Sequence, residues 1–544
     1  IKDDGSVHSL SSGAIETISI NDRHEFITTP THYSDTMLIK PLSTSDANLD
    51  WNTGLRGYSN NPATSLYPFL SYRQANTVAT PEGFNFTRNA GSGDGVTLMS
   101  EDFTNARKTL QAVITKDFNT GWMNGDIKLA TLSDTDDTNV TGAELVTNGT
   151  FDTDVSGWSI GGGTNGTIAL DNQRLKLTNQ TAGNFGYVYA LFDTVVGKYY
   201  TVSLDLVSGG TAGQNYVQVG TSVSSTAFQN ASLGAAPKHH TFTFKATTTS
   251  SQVRLATGTA VGLYSFWDNV SVRLAEEDRS VNGNGLQVFG TVTKSAVATG
   301  ADLVAYSGFS SSNYLQQPYN SDLDFGTGDF SFMTWFNLTN TGAIGCLVFR
   351  GDGGVGTWGS QPIIQVELNS VSLAAFASNA GFSSYDNVNV PLSNLSNNTW
   401  HSYVLTRAGG MLNTYLDGRF IASVASTRTL TNTAAFTRFG ERPNVTRPLS
   451  GSMALTRFSA TAPTAEQIAK IYNDEKHLFS ENAKATLYGT SDAVTALAYD
   501  DDTELLHAGT SAGRSVFQGL RRVDNTTDAV GAAISASNGL VAED

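Results

Sequence analysis

Two β-sandwiches set among further β-rich segments are the architecture that this 544-residue, all-β sequence predicts. Composition is the first reason. Gly is abundant at 53 residues, Pro is scarce at 12, and only 15% of the chain is charged, which is the usage of many short strands joined by polar turns. Alternation is the second. Phe330-Ser331-Phe332-Met333-Thr334-Trp335-Phe336 puts Phe330, Phe332, Thr334 and Phe336 on one face, the period-two pattern of a half-buried strand. Turn chemistry is the third. Trp400–Arg407 and Leu412–Leu416 read as strands, and the second runs into Asp417-Gly418, a pair that tolerates positive φ and closes a hairpin. A chain of this length exceeds one ordinary core, so roughly three or four domains are expected.

Residues 1–135 read as a first β-rich region, with runs at His24–Thr28, Thr36–Lys40, Gly95–Met99 and Thr109–Thr115. The polar connector Ser133–Thr138 reads as a solvated linker rather than an ion site. Residues 143–275 form a second domain, with alternating strands at Tyr200–Leu206 and His240–Ala246. Residues 285–478 form a third, followed within it by the one convincing helix, Thr464–Tyr472. There Thr464 stands at the cap, Gln467 at the capping-box position, and Ile468, Ile471 and Tyr472 make the apolar stripe. The tail, 487–544, reads as strand, acidic turn at Asp500-Asp501-Asp502, then further strands.

Three resemblances add to this. Asn148-Gly149-Thr150-Phe151 with Gly157-Trp158, and the closing Asp268-Asn269-Val270-Ser271-Val272, are similar to the ends of the galactose-binding-like sandwich of family 4/9/16/22-type carbohydrate-binding modules. In those modules a structural Ca²⁺ often bridges the two ends, which implies ligands at Asp152 and Asp268 with carbonyls near Gly149. The family commonly has Glu where Asp152 stands, so this ligand is a carbon shorter; the alternative is that Asp268 only caps a turn. The order of Phe330–Phe336, Trp400–Arg407 and Leu412–Arg419 resembles the laminin-G/concanavalin A-like jelly-roll superfamily. Most of its members bind glycans or proteins, a minority hydrolyse polysaccharides, and a helix after the sandwich commonly packs on its edge. Ala493–Thr510 with Ser515-Val516-Phe517 resembles a propeller blade, and Ile1–Val7 and Asn119–Lys128 look like parts of similar hairpins. One economical reading is a propeller-like scaffold carrying two inserted sandwiches.

Several functions are set aside. A net charge of −16 without a run of Lys or Arg repels phosphate backbones, so no nucleic-acid partner is expected. No apolar run reaches the ~18 residues that span a bilayer, and no signal peptide is read. Cys346 is the single cysteine and forms no internal disulfide. About a dozen Asn-x-Ser/Thr sequons occur, most of them chance matches in so Asn- and Thr-rich a chain. Glycan hydrolysis needs two carboxylates roughly 5–9 Å apart. The Glu-x-Asp-x-(x)-Glu pattern of glucanases with the concanavalin A-like fold is absent, and Ile363–Asn369 offers one acid, Glu367. Glu276-Glu277-Asp278 reads as a linker, His239-His240 is too isolated for a metal, and Arg350-Gly351-Asp352 reads as a turn. No enzyme is expected.

Sugar rings present apolar C–H faces, so aromatic platforms flanked by polar groups are the binding chemistry to seek. Trp158, Trp267, Trp335 and Trp400 lie on domain-defining motifs or alternating strands and are expected in cores. Trp358 and Tyr385, in Gly- and Ser-rich loops, are the ligand candidates, though equally suited to contacts between domains or subunits. Tyr187 and Tyr189 share a strand face and form a weaker pair.

Gly121–Ile127, Tyr314–Asp329 and Gly513–Leu520 look like segments of tail or virion-surface proteins of bacteriophages, notably marine ones. That resemblance implies an extracellular virion component, a homo-oligomer beside other virion proteins, whose sandwiches engage a host cell-surface polysaccharide. Its rivals are a structural spacer, a secreted bacterial adhesin and a polysaccharide depolymerase.

Overall fold

A computed structural model describes the chain from Gly95 onward, apart from 101–109, 163–164, 211–213, 223–224, 281, 355–361, 380–383 and 532. Before Gly95 it describes the strands Ile15–Ile20, Phe26–Pro30, Val78–Ala79 and Asn85–Arg88. The expected runs at Ile1–Val7 and Thr36–Lys40, and the candidate Trp358, lie outside the described residues. The fold is all-β: strands dominate, and the α-helix Ala465–Glu475 is too short to cross a membrane.

The chain divides into two compact units. One joins 1–127, 296–303 and 461–544; the other holds 128–295 and 304–460. In the first, Val96–Ser100 and Leu110–Ile114 pair within one antiparallel sheet, and Val494–Asp500, Leu505–Thr510, Gly513–Gln518 and Arg521–Asn525 form a four-stranded meander. The two ends of the chain are stitched by backbone and amide bonds. Leu487 N donates to Thr115 O at 3.0 Å, and the Asn119 amide donates to Ala485 O and Leu520 O, each at 3.0 Å. The helix has its capping box, Thr464 with Gln467. Trp122 donates its backbone N–H to Glu475 and its indole N–H to Asp474, both at 2.7 Å. The helix thus belongs to the unit made by the chain ends, a placement that local periodicity does not specify.

The second unit opens with a sandwich. One sheet runs Gly166–Leu170, Leu175–Asn179, Tyr264–Glu276, Tyr199–Ser208, Lys238–Lys245, in that order. The facing sheet runs Ser159–Ile160, Gly186–Asp193, Ser250–Thr257, Asn215–Gly220, Gln229–Ser232. Phe151, Trp158, Val188, Val202, Leu255 and Trp267 share its core, as the tryptophan motifs predicted. The end motifs meet as expected. Val270 N donates to Gly149 O at 2.9 Å, and a Cβ on Gly149 would stand 1.9 Å from Val270 O, so only glycine fits. Glu144 clamps the same junction, accepting from Val272 N at 2.8 Å and Ser271 Oγ at 2.7 Å.

The next sandwich packs Phe330–Leu338, Trp400–Ala408, Met411–Leu416, Gly451–Ser459 and their neighbours against Gly345–Gly351, Pro362–Leu368, Ser372–Ser378, Tyr385–Pro391 and theirs. Phe330, Phe332 and Phe336 enter its core. Met333 and Trp335, on the other face, are buried too, so this strand is covered on both sides rather than half-buried. Asp417 (φ 50°) and Gly418 (φ 75°) close the expected hairpin between Leu416 and Arg419. The two sandwiches share a ladder, Ala275 pairing with Gln287 and Glu276 with Leu286. The acids at this junction are not a solvated linker. Glu276 accepts from Tyr306 Oη at 2.6 Å, and Asp278 is 4% exposed with four donors around one carboxylate.

His240, on Lys238–Lys245, leaves its buried Nε2 without a hydrogen bond. Burial, then Lys238 and His239, push its imidazole from 6.5 down to about 4. A group kept neutral in this way contributes stability that is complete above pH 6.5 and is lost as pH falls toward about 4. Thermal melts from pH 7 to 4.5 should therefore lose about 1–2 kcal/mol that His240→Phe retains. Identical slopes in both proteins would refute this.

Candidate glycan-binding face

The site is built by strand register. In the five-stranded sheet Val188, Ala190, Phe192, Val217, Val219, Val253 and Leu255 point into the core. Alternation then sends Tyr187, Tyr189, Tyr216, Gln218, Gln252 and Arg254 to the outer face. Pairing aligns them in rows. Tyr189 stands opposite Arg254, Arg254 opposite Gln218, and Gln218 opposite Asn230. In the adjoining row Tyr187 and Tyr216 flank Ala256, so two rings stand two strand spacings, about 9–10 Å, apart over a small residue.

Arg254 lies with its guanidinium carbon 3.6 Å from the Tyr187 ring centre. Gly161 abuts the same ring: a Cβ there would stand 1.6 Å from Tyr187 Cε2. Tyr187 is thus the bed on which Arg254 rests; Tyr189 and Tyr216 are half-buried rings on the same face, Tyr216 edge-on to Phe185 at 5.1 Å. Gln218 Nε2 donates to Asn230 Oδ1 at 2.9 Å. Arg254 Nε, Gln218 Oε1 and Gln252 Oε1 are buried and have no partner. Each such orphan costs about 1–3 kcal/mol. Donor and acceptors set side by side beside tyrosines are what a ring of hydroxyls and C–H faces requires.

The pair Tyr187 and Tyr189 does share this face. Tyr385 lies on the other sandwich, at the start of Tyr385–Pro391, 39% exposed and edge-on to Phe376 at 5.7 Å. Beside it Arg428 grips both oxygens of Asp386, at 2.9 and 2.8 Å, so the polar groups there are already satisfied. Reading the sequence missed Arg254, Gln218 and Tyr216. Their only local signal is the polar member of Gln252-Val253-Arg254-Leu255 and Tyr216-Val217-Gln218-Val219, common to any half-buried strand.

The proposed cation ligands are neighbours. Burial pushes the Asp268 carboxyl up, and the carboxylates of Asp205 and Asp152 add to it. Asp152 is exposed and accepts from Thr150 Oγ at 2.7 Å; Asp268 also accepts from Asn269 N at 2.8 Å, the turn-capping role. Asp205 is engaged by His239 at 2.7 Å and Asn269 at 2.8 Å. Among the described residues no three His, Cys, Asp or Glu side chains are grouped to hold a metal. The pair therefore fits only the beginning of a Ca²⁺ site, whose six to eight oxygens would come mainly from carbonyls and water.

Glu367 is 4% exposed and bound by Arg442 and Arg447, each at 3.1 Å. Arg350 of the Arg-Gly-Asp tripeptide is fully buried against Asp324 at 2.7 Å, so the tripeptide is not displayed. In the unit made by the chain ends, a cleft of about 530 Å³ is lined by Trp122, Lys470, Asp474, His477, Tyr499 and Glu504. Its tryptophan is 1% exposed and offers no platform.

Residues 309–469 match the family Laminin_G_3, described as the Concanavalin A-like lectin/glucanases superfamily. The second sandwich is concanavalin A-like. Solved structures similar to parts of the chain include the CBM40 of a Ruminococcus gnavus IT-sialidase bound to α2,3-sialyllactose (12% identity, TM-score 0.24, over 27% of this chain and 84% of that one). Another, described as "CBM4 structure and function", matches at 18% identity and TM-score 0.21 over 24% and 99%. The receptor-binding domain of a botulinum neurotoxin C/D mosaic serotype matches at 12% and 0.31 over 46% and 60%. No curated protein matches the chain.

Proposed function

We propose that this chain is a non-enzymatic glycan-binding protein whose first sandwich holds saccharide on the outer face of its five-stranded sheet. The observation that carries the reading is the pair of orphaned polar atoms, Arg254 Nε and Gln218 Oε1, on one row of the face with Tyr189 and beside Tyr216. A sugar would stack a C–H face on a tyrosine, give a hydroxyl proton to the Gln218 oxygen and accept from the guanidinium. The finer reading is a bacteriophage tail or virion-surface component attaching to host-surface polysaccharide. Weak sites repeated on a multivalent assembly would gain roughly 10²–10⁴-fold in avidity. Ca²⁺ at Asp152 and Asp268 would be structural, easing the repulsion between those carboxylates.

A glycan array and host-envelope pull-down with the whole chain tests this, with and without Ca²⁺. Arg254→Ala and Tyr189→Ala should each weaken retention roughly tenfold or more, while Tyr385→Ala leaves it intact. Loss with Tyr385→Ala alone would move the site to the second sandwich. A folded protein that retains no glycan would be a structural spacer.

A further inference from the structure

We infer that this face selects an anionic saccharide, with Arg254 pairing the ligand's carboxylate or sulfate; this deepens the glycan-face reading and rests on it. The argument is one of missing counter-charge. The chain has 49 acidic residues to 33 basic ones, and several arginines of the two sandwiches pair with an acid. Arg350 pairs with Asp324, Arg442 with Glu367 and Arg438 with Glu441. Arg407, with Asp329 near but not bonded to it, donates to the carbonyls of Gly328, Arg428 and Gly326, at 2.7, 2.7 and 2.8 Å.

Arg254 has neither kind of partner. Its guanidinium rests on Tyr187, its Nε is buried and unbonded, and its row neighbours Tyr189, Gln218 and Asn230 are neutral. Gln252 and Ala256, two positions along its own strand in either direction, are neutral as well. Asp193 lies four positions along the adjacent strand from Tyr189, roughly 13 Å away. Burial disfavours the charged form of Arg254, and no carboxylate offsets it. A cation desolvated without a counter-ion is costly, and a planar guanidinium is the donor that best fits a carboxylate or sulfate. The net charge of −16 opposes a polyanion at long range, but salt screens that beyond about 8–10 Å, so the local contact decides. The neutral acceptors beside Arg254 suit ring hydroxyls, which makes the ligand an acidic sugar rather than a bare anion.

The test uses the whole chain and matched pairs of polysaccharides, each before and after chemical carboxyl reduction or desulfation, so that ring and linkage stay constant. The parent chain should bind the charged member roughly ten- to a hundredfold more tightly than its neutralised partner. Arg254→Gln should abolish that preference, and Arg254→Lys should restore part of it, with melting confirming that both fold. Loss on carboxyl reduction assigns a uronate-like ligand; loss on desulfation assigns a sulfated one. Equal binding of charged and neutral members overturns the inference and leaves the glycan face standing. Binding that is unchanged by both Arg254→Gln and Tyr189→Ala, or absent for every polysaccharide, overturns both.

Discussion

Asp278→Ala should unfold the junction between the two sandwiches at markedly lower denaturant, with a loss of about 3–5 kcal/mol. The carboxylate accepts from Ala130 N at 2.9 Å, Ser280 N at 2.9 Å, Ser280 Oγ at 2.8 Å and Asn284 N at 3.0 Å. Truncation orphans four donors, three of them buried, at about 1–3 kcal/mol for each buried one, less what water and relaxation recover. Asp278→Asn keeps Oδ1 but turns an N–H₂ toward Asn284 N–H, so about 1–2 kcal/mol is expected. The two variants also differ in pH dependence. Burial pushes the Asp278 carboxyl from 3.8 up to about 6, against the donors that favour the anion. Such a group contributes stability that is full below pH 3.8 and lost as pH rises through about 6. That slope is opposite to the one expected from His240, and it should vanish in Asp278→Asn. Melts at pH 5 and pH 7.5 check it; equal pH dependence of variant and parent would rule it out.

What local pattern can encode was legible. Alternation located the strands of both sandwiches, Asp417-Gly418 located a hairpin, and Thr464 with Gln467 located the helix start. Each is a property of a few consecutive residues. The face at Arg254 is different in kind. Tyr189, Arg254, Gln218 and Asn230 are scattered along the chain and become neighbours only because three ladders place them in one row. Periodicity names the outward residues of every strand without saying which strands share a face. The same limit explains Tyr187: its pairing with Tyr189 was legible, but Arg254 covering its ring was not. Glu276-Glu277-Asp278 was misread for another reason. Acidic runs are usually solvated, and only the ladder between 275–276 and 286–287 encloses this one.

Arg442→Ala should cost about 2–4 kcal/mol, because it leaves a buried carboxylate to Arg447 alone rather than because the ion pair itself is strongly stabilising. Glu367 and Arg442 are 4% and 3% exposed and lie 3.1 Å apart, with Arg447 adding a second contact at 3.1 Å from the solvent side. Glu367 points away from the core residues Val366 and Leu368 of its own strand, onto the sheet face where Glu441, Arg442 and Arg447 lie. Those residues hold the segment after Phe436–Phe439 over that face, Glu441 also pairing with Arg438 at 3.1 Å. Replacing both partners by apolar groups, Glu367→Leu with Arg442→Met, removes charge and counter-charge together and should restore most of the loss. Equilibrium denaturation of the two single variants and the double variant checks this. A single variant costing under about 1 kcal/mol would mean that water reaches the pair. The same cycle bears on function. Both Glu367 oxygens are taken up by Arg442 and Arg447, so Glu367 is suited to fastening a segment to the sheet. Glu367→Gln should then lower stability while leaving glycan retention at Arg254 unchanged.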